Sequence, residues 1–515
     1  MPLLGSIIKK AIEFRGIKPL EIVKVRRRGT AYGQQVKMLE KLLKKSINTA
    51  FGDHYNFGKL LDSKDLVAAF QQTVPVHDYN SIFSHWWYRQ LNGESFVTWP
   101  GKVRYYALSS GTSEASSKYI PVTPDMIRAI RRTSIRQLVS LANYNFPRDF
   151  YEKGILMLGG STHLQFNGTY YEGDLSGINT AKIPFWFQHF YKPGKRISRE
   201  RDWNTKLEEI IRKAPEWDIG SIVGVPAWYQ ILLEMIIKRY NLSNIHDIWP
   251  NLRVFCHGGV AFGPYKNGFE KLLGKPITYI ETYLASEGFI AYQNRPDSQG
   301  MQLVLDNGLF YEFVPFNSQN FDEENKIVKN PVALTLDQVE EGKEYALLLS
   351  SVSGAWRYLI GDTIRFTNLS MSEIIITGRT RHFLNLCGEH LSQENMNRAV
   401  EMLENQENIH IREFTVAGIR HGSMFAHKWF IGTDDPVTPE TAARRIDENL
   451  KKLNDDYRVE RIAAIRDVIV EVLPIRAFYD WMEVQGKIGS QNKFPRVMKN
   501  QQYEQWEEHV NKYKR

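Results

Sequence analysis

The chain has 515 residues, 43% of them hydrophobic and 12% aromatic, with a formal net charge of +8 at pH 7. That length and composition support a large core spread over two or three domains and exclude general disorder. Its two cysteines, Cys256 and Cys387, fit no C-x-x-C spacing, which excludes a disulfide framework and a cysteine zinc site and fits a reducing, cytoplasmic compartment.

The densest basic block runs from Lys18 to Arg28 and is followed by Val36, Leu39, Leu43 and Ile47 at helical spacing. This pattern predicts an amphipathic helix whose lysines, Lys37, Lys41, Lys44 and Lys45, form the solvated side. No nucleic-acid-binding signature accompanies the charge, so no nucleic-acid partner is expected. No apolar run approaches the roughly 18 residues of a membrane span, and Leu3 to Ile8 is too short for a signal-peptide core, so no membrane partner is expected either.

Val103 to Leu108 reads as a strand feeding the run SSGTSEASSK, Ser109 to Lys118. Ser109, Ser110, Thr112 and Ser113 can each donate a hydroxyl, Gly111 lets backbone N–H groups approach an oxyanion, and Lys118 supplies a mobile cation. The run reads as a grip for nucleotide phosphates, though it has neither the spacing of a Walker A loop nor that of a dinucleotide fingerprint. Apolar runs then alternate with helical patterns, which predicts a mixed α/β body. The strands are Gly154 to Leu158, Ile219 to Val225, Leu252 to His257, Ile277 to Glu281 and Glu344 to Ser350; the helices are Trp203 to Lys213, Ala227 to Tyr240 and Asn267 to Leu273. Trp186, Phe187, Trp228 and Tyr229 are read as core packing before they are read as a flat apolar pocket.

A second marker is HGGVAFGPY, His257 to Tyr265, followed by ETYLASEG, Glu281 to Gly288. Here Tyr283 can stack on a base and Glu287 can hold a magnesium ion that also touches phosphate. The plainer alternatives are a helix-face carboxylate for Glu287 and a satisfied structural histidine for His257. A third marker, WRYLIGDTIRF, places Asp362 after Gly361, where a carboxylate can accept both hydroxyls of a ribose; the plainer alternative is a Gly-Asp turn residue. Near Glu373 the texture changes. The strand EIIITG leads into Arg379 to His382, and beyond it come a helix from Gln393 to Leu403, a hairpin of Glu413 to Gly418 with Met424 to Gly432, a helix from Pro439 to Leu453 and a strand from Asp467 to Leu473. That is a small α+β unit able to move as a body.

The three markers, in this order and followed by ITGR, resemble the adenylate-forming enzymes and, within them, a non-plant member of the auxin-responsive acyl acid-amido synthetase family. Further similarity runs through NTAFG at Asn48, GDLSGI at Gly173, GVPAWY at Gly224 and GSQNKFPRV at Gly489, so that it covers nearly the whole chain. The resemblance implies a large mixed α/β domain over 1–378, a hinge over 379–383 containing Arg379, and a small mobile α+β domain over 384–515. It implies that Ser109, Ser110, Gly111, Thr112 and Ser113 hold ATP phosphates, that Tyr283 lies near the nucleotide, that Asp362 holds the ribose and that Glu287 binds Mg2+. Trp228 and Tyr229 would face the acyl pocket, and Lys118, Lys493 and His390 would take part in the chemistry.

Three positions depart from the family pattern: Ala115 replaces a Gly, His390 replaces the Lys of plant members, and Leu359 replaces the Arg of the third motif, leaving Arg357 or another cation for that role. The implied reaction joins a small carboxylic acid to an amine or amino acid through an acyl-adenylate, with release of pyrophosphate and AMP. An acyl-CoA ligase of the same fold and a non-catalytic nucleotide-binding scaffold are the competing readings. A serine hydrolase fits less well, since no G-x-S-x-G elbow occurs.

Overall fold

The structure is a computed structural model and describes residues 30–110, 117–183, 187–259, 262–322, 325–380, 383, 384, 386, 387, 389, 391–422, 424–484, 494–498 and 500–513. They form two compact units, one drawn from Met1–Leu108, Tyr119–Val225 and Leu232–Thr380, the other from Ser109–Lys118, Pro226–Ile231 and Arg381–Arg515. The chain passes from the first to the second between Thr380 and Arg381. Nothing in the sequence predicts that two short earlier segments group with the second unit.

The first helix, α1 (Ala31–Ser46), is capped by the Thr30 hydroxyl, which accepts from Gly33 N at 3.0 Å. Met38, Leu39, Leu42 and Leu43 are buried while the four lysines face solvent. Ile47, expected on the apolar stripe, lies past the helix end and is exposed. Gln35 anchors α1: its Nε2 donates to Leu305 O at 2.7 Å and Leu309 O at 3.0 Å, and its Oε1 accepts from Tyr311 N at 2.8 Å. A buried amide thus satisfies backbone groups that an apolar residue would leave unpaired.

Among the described residues, β1 (Tyr105–Ser110), β2 (Ser117–Pro121), β4 (Gln165–Phe166) and β5 (Tyr171–Gly173) form a small sheet in the order β2-β1-β5-β4. The dominant sheet is built from β3 (Gly154–Met157), β6 (Tyr191–Lys192), β7 (Ile219–Gly224), β8 (Val254–Gly258), β9 (Thr278–Ala285), β10 (Gly288–Tyr292), β11 (Met301–Leu303), β12 (Leu309–Pro315), β13 (Glu344–Ser351), β14 (Tyr358–Asn368) and β15 (Glu373–Arg379). Its order is β12-β13-β14-β15-β11-β10-β9-β8-β7-β3-β6. The β6-β3-β7-β8-β9 portion is parallel and the rest antiparallel. This is the expected mixed α/β architecture.

The two faces of the parallel portion are filled differently. On one, Val254 and Ile280 pack with Leu141 and Phe150, while Gln137 from helix α2 (Pro124–Ser140) reaches Thr282. On the other, Phe255, His257 and Tyr279 meet Phe262 and Phe269, of which Phe269 lies on helix α3 (Gly263–Glu270). That helix starts four residues before the predicted Asn267, because Pro264 suits the first turn of a helix.

In the second unit, β16 (Glu413–His421), β17 (Met424–Gly432), β18 (Ile465–Leu473) and β19 (Val497–Met498) form a sheet in the order β18-β17-β16-β19. The predicted hairpin is therefore present, with its first strand running on to His421. The helix over Pro439–Leu453 matches its predicted bounds, with Thr438 as its cap. Phe430, Phe478, Trp481, Phe494 and Trp506 make the core of this unit.

Candidate active site

The carboxyl end of β9 carries Tyr283, and the β9–β10 turn carries Glu287, which is 7% exposed. Glu287 lies on no helix, so its plainer reading as a helix-face carboxylate is set aside. Asp362 lies inside the long strand β14 and not in a turn, because Gly361 at φ +93° lets the chain bulge there without ending the strand. Across the ladder, Asp362 is the register partner of Arg379, the last residue of β15.

These residues converge. The Tyr283 hydroxyl donates to Asp362 Oδ2, and Arg379 Nε lies 2.9 Å from Asp362 Oδ1. Burial holds the Tyr283 phenol well above its usual value; the charges of Asp362 and Glu287 add to the rise and Arg379 opposes it. Three stretches that the sequence separates by scores of residues therefore share one electrostatic neighbourhood in the first unit. The Tyr283 phenol stays a neutral donor, and the oriented carboxylate of Asp362 keeps lone pairs for further donors.

Arg357 does not replace the missing cation of the third motif. Its Nε lies 3.1 and 3.0 Å from the two Glu312 oxygens, and its Nη1 donates to Gln71 O at 2.8 Å and Val74 O at 2.7 Å. Glu312 is 1% exposed and Arg357 5%. The pair is structural, and Arg379 is the cation on Asp362.

The second unit holds a polar knot that sequence reasoning passed over. Glu389 is fully buried; it accepts from Leu386 N and Cys387 N, each at 2.9 Å, and His427 Nε2 lies 3.0 Å from its Oε1. Glu460, also buried, accepts the indole N–H of Trp228 at 3.0 and 3.2 Å. Burial raises Glu460 well above the usual carboxylate value, whereas His427 and backbone N–H groups outweigh burial at Glu389 and lower it. The available signal was a lone carboxylate within the apolar run LNLCGEHL.

Of the other expected site residues, Ser109 and Ser110 end β1, Lys118 stands on β2 and is 9% exposed, and Tyr229 is fully buried beside Trp228 in the helix Pro226–Tyr240. Gly111, Thr112, Ser113, His390 and Lys493 lie outside the described residues. Among the described residues no group of three or more His, Cys, Asp or Glu could hold a metal ion, and no helix is long and apolar enough to cross a membrane.

The fold is that of adenylate-forming enzymes. It matches a 2-hydroxyisobutyryl-CoA ligase in complex with 2-HIB-AMP and CoA, at TM-score 0.59 and 13% identity over 93% of this chain and 91% of that one. It also matches the GH3.15 acyl acid amido synthetase, at TM-score 0.57 and 17% identity over 93% of both chains. Within that class, the N-terminal, central and C-terminal domain profiles of the GH3 family match residues 30–206, 302–379 and 394–502. The chain belongs to the GH3 family and is an acyl acid-amido synthetase, an adenylate-forming ligase. It is 21% identical to indole-3-acetic acid-amido synthetase GH3.2 of Arabidopsis thaliana over 90% of this chain and 96% of that protein. It is 22% identical to jasmonoyl-L-amino acid synthetase JAR6 of Nicotiana attenuata over 64% of this chain and 66% of that protein.

Proposed function

We propose that this chain activates a small carboxylic acid with ATP and passes the acyl group to the amino group of an amino acid. A carboxylate oxygen attacks the α-phosphorus in line and pyrophosphate leaves. The amine then attacks the acyl carbon, the C–O bond to AMP breaks, and the amine loses a proton. Neither step needs a nucleophilic side chain; both depend on positioning and on neutralising charge at phosphorus.

The observation that carries this reading is the junction of Tyr283, Asp362 and Arg379 with Glu287 alongside, all at motif positions. In it Asp362 takes the ribose hydroxyls, held in plane by Tyr283 and Arg379. Ser109, Ser110, Gly111, Thr112, Ser113 and Lys118 receive the phosphates, and Lys493 and His390 take part from the C-terminal region. Glu287 is a single buried carboxylate, which suits Mg2+, an ion that uses one or two carboxylates and completes its shell with phosphate oxygens and water. Bound there, the ion supplies charge neutralisation at the phosphates.

The test is carboxylate-dependent exchange of labelled pyrophosphate into ATP, followed by product mass after adding mixed amino acids or coenzyme A. Exchange followed by an amide mass supports the reading. A thioester in place of the amide would move the protein to the CoA-ligase reading, and ATP binding without exchange would move it to the scaffold reading.

A further inference from the structure

Parallel sheets bind ligands beyond the carboxyl ends of their strands, so polar groups left unsatisfied there carry information about the ligand. His257 is the next-to-last residue of β8 and the register partner of Glu281 on β9, so their side chains emerge side by side on one face. Two residues further along β9, on the same face, stands Tyr283 of the nucleotide junction.

The two side chains are chemically unfinished. His257 is 5% exposed and its buried Nδ1 has no hydrogen-bond partner among the described residues. Its ring lies against Phe262 with centroids 4.5 Å apart, which fixes its position without satisfying the nitrogen. The Glu281 carboxylate receives no donor among the described residues; its backbone alone is engaged, the N–H by Gln293 Oε1 at 3.4 Å and the carbonyl by Gln293 N–H at 2.9 Å. Burial raises its proton affinity and no neighbouring charge offsets that. The Tyr279 hydroxyl, two residues back on the same face, is likewise buried and unpartnered. A purely structural histidine and tyrosine would have found partners, since an unpaired buried polar group costs about 1–3 kcal/mol; Glu281, half-buried between them, adds a carboxylate that no described side chain engages.

We propose that His257 and Glu281 are specificity-determining residues that bind a hydrogen-bond-donating substituent, a hydroxyl or an amine, on the acyl acid. The inference rests on the acid-activating reading above and adds to it the substrate class: a hydroxy- or amino-substituted carboxylic acid, not a plain hydrocarbon or aryl acid. A neutral imidazole offers one donor and one acceptor, and Glu281 offers acceptors, which matches a hydroxyl or an amine and leaves a methyl group facing polar groups it cannot satisfy. Two residues of strand span about 7 Å, so the substituent lies several bonds from the carboxylate that meets the α-phosphate.

The experiment uses the full chain with matched pairs of acids of equal length, one bearing a terminal hydroxyl or amine and the other a methyl, and reads both pyrophosphate exchange and ligand-induced thermal stabilisation. Wild type should favour the donor-bearing member at least tenfold in exchange and be stabilised by it alone; the hydroxyl and amine arms say which donor is meant. Glu281→Leu should reverse the preference and raise the melting temperature of the unliganded protein, because it removes an unpartnered carboxyl group, while Glu281→Gln should retain part of the preference. Equal use of both members, or a lower melting temperature in Glu281→Leu, would overturn the proposal. If no acid supports exchange, the acid-activating reading fails, and the stabilisation assay still decides whether donor-bearing acids bind.

Discussion

Tyr283 and Asp362, 79 residues apart, share a buried hydrogen bond in which the phenol donates to the carboxylate. Because Tyr283 and Arg379 engage different oxygens of Asp362, each oxygen keeps a lone pair for a further donor, which in the proposed reading is a ribose hydroxyl, and the carboxylate plane is fixed in advance. Tyr283→Phe removes one positioning bond and keeps the acceptor, so KM for ATP in the exchange reaction should rise roughly 5- to 30-fold, the equivalent of 1–2 kcal/mol, with kcat changed less. Asp362→Ala should lose on the order of 100-fold or more in kcat/KM. An unchanged KM in Tyr283→Phe, with the fold intact by circular dichroism, would reduce the bond to a structural one.

The Arg357–Glu312 pair predicts an effect of the opposite kind. Arg357 sits at φ +42°, a left-handed conformation that a non-glycine residue holds only when its surroundings fix it, and four hydrogen bonds to Glu312, Gln71 and Val74 do so. Glu312→Gln leaves the guanidinium buried without a counter-charge and should destabilise by about 3–5 kcal/mol, read by chemical denaturation. KM for ATP should not change in the folded fraction. A shifted KM at wild-type stability would restore Arg357 as the missing cation of the third motif.

The contrast between these two arginines shows what the sequence made legible. Hydrophobic period located α1, the parallel strands and the C-terminal hairpin, since each buries one face and repeats at its own spacing. The motifs named Tyr283, Glu287 and Asp362. What spacing could not supply was partnership. Asp362 read as a ribose-holding carboxylate with a Gly-Asp turn as the plainer alternative, and only its register with Arg379 across β14 and β15 reveals the ion pair. Leu359 at the motif's Arg position left the neighbouring Arg357 as a candidate, and nothing local to that stretch points to Glu312, 45 residues away. His257 read as a satisfied structural residue for the same reason: whether a buried nitrogen has a partner depends on the fold alone.

Glu460 sets a pH dependence whose sign follows from its direction of shift. Burial raises its folded pKa well above the unfolded value near 4.5, with Glu389 and Asp456 adding to the rise and Trp228 and Cys387 opposing it. Above pH 4.5 the unfolded carboxyl gives up its proton while the folded one keeps it, so wild-type stability falls as pH rises through that value. Glu460→Gln keeps an acceptor for the Trp228 indole and removes the titration. Its stability should equal wild type's near pH 4 and exceed it increasingly toward pH 8, measured as denaturation midpoints across that range. A constant difference between the two proteins would place Glu460 in an ordinary ionised state.

Two histidines act in the acid direction. Burial lowers both His77 and His257 to about 4; His77 Nδ1 lies 2.9 Å from Trp356 O, a contact that opposes the shift without cancelling it. Between about pH 6.5 and 4 the unfolded chain therefore binds protons at these two sites that the folded chain refuses, and stability should fall as pH drops through that window. Replacing both by glutamine removes the two protons from the linkage. The double variant will start less stable if the Trp356 contact matters, but its stability should decline less steeply between pH 6.5 and 4 than wild type's, each single variant lying between. Parallel slopes in wild type and double variant would mean that both rings are protonated in the folded protein, and a charged His257 could not serve as the acceptor that a donor-bearing acid requires.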